Sequence, residues 1–216
     1  MTTFFLVVFL WIFSVCLHEF AHAIVAYKGG DRSVKDKGYL SLNPMHYLDP
    51  FSSILIPTLV LIMGGIGLPG AAVYINTSAL RSPAWQSAVS LAGPAMNLLI
   101  LFFISLLIAA TGLQGSALGA ALAFFAFLQA TSVVLNLLPI PGFDGFGAIN
   151  PYLPTDVRIM AQRMAPMAVM GFIAIIFFVP GVNSFIFGGC FRIAYMLGID
   201  PYDIQAGFQA FRFWKN

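Results

Sequence analysis

Glutamate occurs once in this chain, at Glu19, and charge of either sign is scarce, at 8% of 216 residues. A soluble domain carries about 25% charged residues, so the shortage excludes an ordinary soluble globular domain. Cysteine is nearly absent. Cys16 and Cys190 lie in apolar segments with no CxxC pair between them, which excludes a disulfide framework and reads as packing. No stretch of basic residues with interleaved aromatics exists, and a net charge of +2 gives no electrostatic footprint for nucleic acid. No Lys or Arg precedes the first apolar run, Phe4–Tyr27. That run also exceeds the hydrophobic stretch of a secretory signal, so a cleaved leader fits poorly. Repeats, long linkers and a soluble extramembrane domain are not evident; the longest polar stretch is 28–50.

What remains is hydrophobic: 60% of the residues. As a helix, Phe4–Tyr27 would reach roughly 36 Å, enough for a hydrocarbon core of about 30 Å. Further apolar runs cover 51–68, 84–111, 117–138, 164–179 and 184–197. The expected fold class is an all-α integral membrane protein, a polytopic helical bundle with about five to six apolar segments. It reads as a single transmembrane domain over 1–216, with a core at 4–150 and C-terminal helices at 157–200. Gly115 and Gly119 have a small-xxx-small spacing that suits close helix packing.

Topology follows from the cations, which favour cytoplasmic flanks. If every apolar run crosses, Lys28, Arg32, Lys35 and Lys37 fall opposite Arg81. If 51–68 dips in and returns, 28–50, 69–83, 139–163 and the C-terminal tail all fall on one side. Pro57 and Gly64-Gly65 suit a re-entrant path, which is tolerated at membrane depth beside protein or a water-filled cavity. The expectation is a re-entrant 51–68, the N-terminus outside and the C-terminus in the cytoplasm.

Against this background, His18-Glu19-Phe20-Ala21-His22 stands out. Residues i and i+4 share a helix face, so both imidazoles can reach one metal ion, and Glu19 beside them can accept a proton from water. An ionisable group deep in a bilayer costs on the order of 2.5–3.5 kcal/mol, so such groups have functions. Three of the four Glu and His residues fall within these five positions. A catalytic zinc takes three protein ligands and keeps an open position. His46, Asp49 and Asp144 are candidates for the third. Asp31 and Asp36 read as solvated loop charges, and Asp156, Asp200 and Asp203 as caps or turns. Asp144 follows Pro139, Pro141 and Gly142, which interrupt a helix. A re-entrant 51–68 would bring it to the His18/His22 side.

Three stretches together, His18–His22, "AGPAMN" at 92–97 and "NLLPIPGFDG" at 136–145, resemble the site-2 protease family of intramembrane zinc metalloproteases. "SLNPMHYLDP" at 41–50 is similar to its compact bacterial branch. The resemblance implies one Zn²⁺ held by His18, His22 and Asp144, with Glu19 as general base. It implies hydrolysis of a peptide bond within or beside a substrate's transmembrane segment, in a bacterial cytoplasmic membrane. The partners implied are transmembrane segments of substrate proteins and the lipid bilayer. Asn136 is assigned to the substrate carbonyl or oxyanion or, equally, to a helix–helix hydrogen bond; Asn97 to packing. His46 stands one position early against the family pattern and stays outside the ligand set. A short β segment near 71–76 would offer an edge to an extended substrate. The rival readings are a catalytically inactive relative that binds transmembrane segments and a metal transporter.

Overall fold

The computed structural model describes residues 1–47, 56, 60 and 72–215. The expected re-entrant segment 51–68 and Asp49 lie outside the described residues, apart from isolated positions 56 and 60. Among the described residues eight α-helices occur in this order: α1 (Thr2–Gly29), α2 (Ser33–Asp36), α3 (Pro83–Thr111), α4 (Ala117–Asn136), α5 (Asp144–Ile149), α6 (Thr155–Phe178), α7 (Val182–Met196) and α8 (Pro201–Phe211). Four of them, α1, α3, α4 and α6, are long and apolar enough to cross a membrane.

The helix ends follow local chemistry. Ser82 begins α3 by accepting a hydrogen bond from the Trp85 N–H, with Pro83 in the first turn, and Gly112 ends it at φ 62°. Ser116 begins α4 by accepting from the Gly119 N–H at 3.0 Å. These hydroxyls satisfy donors that a helix start leaves without a partner. At its far end α4 stops at Asn136, three residues before Pro139, which cannot continue the hydrogen-bond ladder. Asp200 caps α8 by accepting from the Tyr202 N–H at 2.8 Å, as read from the sequence, whereas Asp156 lies inside the first turn of α6, whose start has no side-chain cap bond.

The helix α4 is the centre of the bundle, packed by α1, α3, α7 and α8. Its Ala- and Phe-rich sequence is buried from Gly119 to Ala130. Gln129 is fully buried there and donates to Ser14 Oγ on α1 at 3.0 Å. On α3, by contrast, Leu98, Leu99, Phe102, Phe103, Leu106 and Leu107 face outward, as expected of a surface whose solvent is lipid. Close helix approach occurs at Gly207 of α8, where a Cβ would overlap the Ala120 carbonyl of α4. The Gly115/Gly119 pair serves a turn instead: Gly115 is at φ 72° in open space, and Gly119 abuts the Leu113 carbonyl.

Three loops meet at one end of the bundle, as the charge sorting predicts for 28–50, 69–83 and the start of 139–163. Arg81 donates to the Lys28 carbonyl at 2.8 Å, and Ser87 Oγ to the Ala148 carbonyl at 2.6 Å. The termini do not follow the expected division between sides. Phe4 packs on Phe211, Phe213 and Trp214, and both carboxylate oxygens of Asp203 accept from the Gly115 N–H at 3.1 Å. Both ends of the chain lie where the N-terminus and the 112–116 turn are. The reason is length: α7 has 15 residues, about 22 Å, too short to cross a core of about 30 Å.

The predicted β segment is absent: residues 72–76 form no strand, and no strand occurs among the described residues. Their backbone groups are taken up elsewhere. Ala72 N–H donates to the Tyr47 carbonyl at 3.0 Å, Lys37 Nζ to the Tyr74 carbonyl at 2.6 Å, and Asn76 N–H to Asp31 Oδ2 at 2.8 Å. Asp31 is therefore not a solvated loop charge; it is 1% exposed. Its Oδ1 accepts from the Ser33 N–H and hydroxyl. Tyr47, stacked on Tyr39, donates to the carbonyls of Tyr39 and Ser41, and burial pushes its hydroxyl up to about 12.

Candidate metal centre

The helix α1 carries His18 and His22 one turn apart, both buried. Their Nε2 atoms lie 3.0 Å apart. Asp144 opens α5 immediately after the proline-broken 137–143 stretch. Its Oδ2 is 3.3 Å from His18 Nε2 and its Oδ1 is 3.5 Å from His22 Nε2.

This donor set suits zinc. Tetrahedral ligands at about 2.0–2.1 Å from a metal are about 3.3 Å from one another, and the observed spacings bracket that value. Each imidazole also has its far nitrogen occupied. His22 Nδ1–H donates to the Val89 carbonyl at 2.6 Å, and His18 Nδ1–H donates to Asn97 Oδ1 at 2.7 Å. A carbonyl only accepts, so the proton of neutral His22 sits on Nδ1 and the Nε2 lone pair is free. Outer partners of this kind fix the tautomer and aim the ring of a metal-ligating histidine.

Space for the rings comes from α3. A Cβ on Gly93 would collide with Nε2 of both His18 and His22. Val89, Gly93 and Asn97 are spaced i, i+4, i+8, so one face of α3 supplies a carbonyl, a gap and a carboxamide. Pro94 follows the gap and removes a backbone donor from the ladder at that level.

Glu19 is 6% exposed and is not one of the converging ligands. Ala72, Val73 and Ile75 line one cavity with it, which brings the 72–76 stretch to the site. Glu19 and Asn136 line the same cavity of about 340 Å³ as His18, His22 and Asp144. His46 does not join them; its Nδ1 lies 2.8 Å from Ser41 Oγ and 3.0 Å from the Gly38 carbonyl in an exposed turn.

Of the residues named from the sequence, His18, Glu19, His22, Asn136 and Asp144 line this cavity; His46 does not, and Asp49 lies outside the described residues. Sequence reasoning missed Gly93 and the Val89 carbonyl, and gave Asn97 a packing role. The i, i+4 spacing of Gly93 and Asn97 was the available signal.

No family model and no solved structure matches the chain. Among curated proteins, it is 40% identical over 215 residues to a Mycolicibacterium smegmatis protein named "Putative zinc metalloprotease Rip2", covering 98% of this chain and 82% of that one. A Mycobacterium tuberculosis protein of the same name is 42% identical over 210 residues, 95% of this chain and 79% of the relative. "Putative zinc metalloprotease YwhC" of Bacillus subtilis is 34% identical over 185 residues, 81% and 80% of the two chains. The ordered motifs, the convergence of two imidazoles and a carboxylate, and relatives of this identity over most of the length lead to one assignment: the chain belongs to the site-2 protease family of zinc metalloproteases.

Proposed function

We propose that this protein cleaves peptide bonds within or beside membrane-embedded segments of other membrane proteins. The observation that carries the reading is the convergence, at 3.0–3.5 Å, of Asp144 with His18 and His22 of α1, a helix long and apolar enough to span a bilayer. His18, His22 and Asp144 would hold one Zn²⁺ per chain. Bound there, zinc would polarise the peptide carbonyl and make water acidic enough to attack at neutral pH.

The protein's own groups do the rest. Glu19, in the cavity wall beside the two histidines, takes a proton from the attacking water and delivers it to the leaving amide nitrogen as the C–N bond breaks. Asn136 donates its carboxamide N–H to the carbonyl oxygen as negative charge grows there. A transmembrane helix keeps its carbonyls hydrogen-bonded internally, so the substrate unwinds before reaching the cavity. The irregular 137–143 and 72–76 stretches border that cavity and leave room for non-helical chain.

The setting is a bacterial cytoplasmic membrane. By the positive-inside rule, the end bearing Lys28, Arg32, Lys35, Lys37 and Arg81 faces the cytoplasm. The test is turnover of a peptide carrying a transmembrane segment by zinc-loaded protein in liposomes. Wild type cleaves it; Glu19→Gln binds zinc to the same stoichiometry and does not. Turnover retained in Glu19→Gln removes Glu19 as the base.

A further inference from the structure

Asp144, Gly147 and Asn150 are spaced i, i+3, i+6 along α5 and the 3₁₀ turn Asn150–Tyr152 that continues it. All three line the cavity that holds His18, Glu19 and His22. At the middle position there is no side chain: a Cβ on Gly147 would press on Ser90 Oγ of α3. At the far position the Asn150 side-chain oxygen is buried and no group of the protein donates a hydrogen bond to it. A buried acceptor is unfavourable without a donor, so this one can take a donor from a group that enters the cavity.

The proposed substrate is such a donor. A helix unwound for cleavage releases main-chain N–H groups that need acceptors away from water. Six residues of α5 and its 3₁₀ continuation advance roughly 9–10 Å, and a stretched peptide covers about 3.3 Å per residue. We infer that Asn150 is a substrate-positioning residue: its Oδ1 accepts a main-chain N–H of the unwound substrate about three residues from the cleaved bond. The inference rests on the proposed proteolysis. The side chain it names takes no part in holding metal or moving protons.

An ester in place of a peptide bond deletes one N–H and little else, so it reports the contact directly. Full-length zinc-loaded protein is assayed with a transmembrane peptide whose cut site is mapped by mass spectrometry. Esters are then placed singly at the bonds two to four residues to either side. With wild type, one ester lowers kcat/KM about five- to tenfold. Asn150→Ala lowers kcat/KM on the all-amide peptide by a similar factor, keeps its zinc, and shows no further loss with that ester. Asn150→Asp, which keeps an acceptor, retains the ester sensitivity. If Asn150→Ala does not fold, Asn150→Leu preserves the volume and serves in its place. Multiplicative losses, with the ester costing variant and wild type alike, overturn the contact while leaving proteolysis standing. So does wild type that is indifferent to every ester. If zinc-loaded wild type cuts no membrane segment, the proposed function fails and the Asn150 contact with it.

Discussion

Asn97 Oδ1 lies 2.7 Å from His18 Nδ1, joining residues 79 positions apart in sequence. The carboxamide aims the imidazole so that Nε2 points at Asp144. Partners in this position are worth about 10–100-fold in metal affinity. Asn97→Ala is expected to weaken zinc binding by that factor in competition with a chromophoric chelator. Asn97→Asp keeps an acceptor and is expected to bind more tightly than the alanine variant. Equal affinity in wild type and Asn97→Ala would show that the contact does not orient His18.

Gly93 tests the same face of α3 by addition. Alanine in a helix interior is favoured over glycine by about 0.5–1 kcal/mol, so Gly93→Ala should not weaken α3 itself. Its methyl group would occupy the space taken by both Nε2 atoms. The expected outcome is unchanged helical circular dichroism with zinc content reduced at least severalfold. Full zinc content would mean that the rings have room to retreat.

Asp144 is expected to be required for zinc retention. Asp144→Ala should purify with far less than the zinc of wild type by elemental analysis, since two histidines alone leave the ion weakly held. Chelator treatment of wild type should abolish turnover, and zinc should restore it. Full zinc in Asp144→Ala would move the third ligand elsewhere.

Asp31 fastens the 72–76 stretch through Asn76 and the start of α2 through Ser33. Asp31→Ala leaves those donors unpaired, at a cost of about 1–3 kcal/mol. The variant should unfold at lower temperature in detergent and be cut sooner by a soluble protease near 72–80, with zinc retained. Unchanged proteolysis would show that Lys37 and Tyr47 hold the stretch without it.

The chain ends supply a test of topology. Phe4 and Trp214 have ring centroids 5.9 Å apart, and both native cysteines are buried. A Phe4→Cys/Trp214→Cys double variant is expected to be bridged within one chain in native membranes by a short bifunctional thiol cross-linker that spans two aromatic side chains. Failure to cross-link, with both thiols reactive, would place the termini apart.

Composition and local pattern determined a good deal by themselves. A 60% hydrophobic chain with so little charge can satisfy its backbone in lipid only as helices or a closed barrel, and the long apolar runs select helices. The i, i+4 spacing of His18 and His22 survives any packing of the bundle, because helical periodicity is local. Pro139, Pro141 and Gly142 end α4 wherever that helix lies. The cation pattern also anticipated which loops gather at the site end.

The remainder depended on contacts between distant segments. The sequence offered Asp144 as one of three candidate ligands, and only the fold brings its carboxylate within 3.5 Å of both imidazoles. The hydrogen bond from His18 to Asn97, the gap at Gly93 and the buried acceptor at Asn150 depend on how α1, α3 and α5 meet. Residues 72–76 are strand-like in composition but form no strand among the described residues; Tyr47, Lys37 and Asp31 take part in their backbone hydrogen bonds. The C-terminal helix returns to the N-terminal end because α7 is short and Gly207 lets α8 close on Ala120. Counting cations could not reveal that return, since it is decided by close packing between helices remote in sequence.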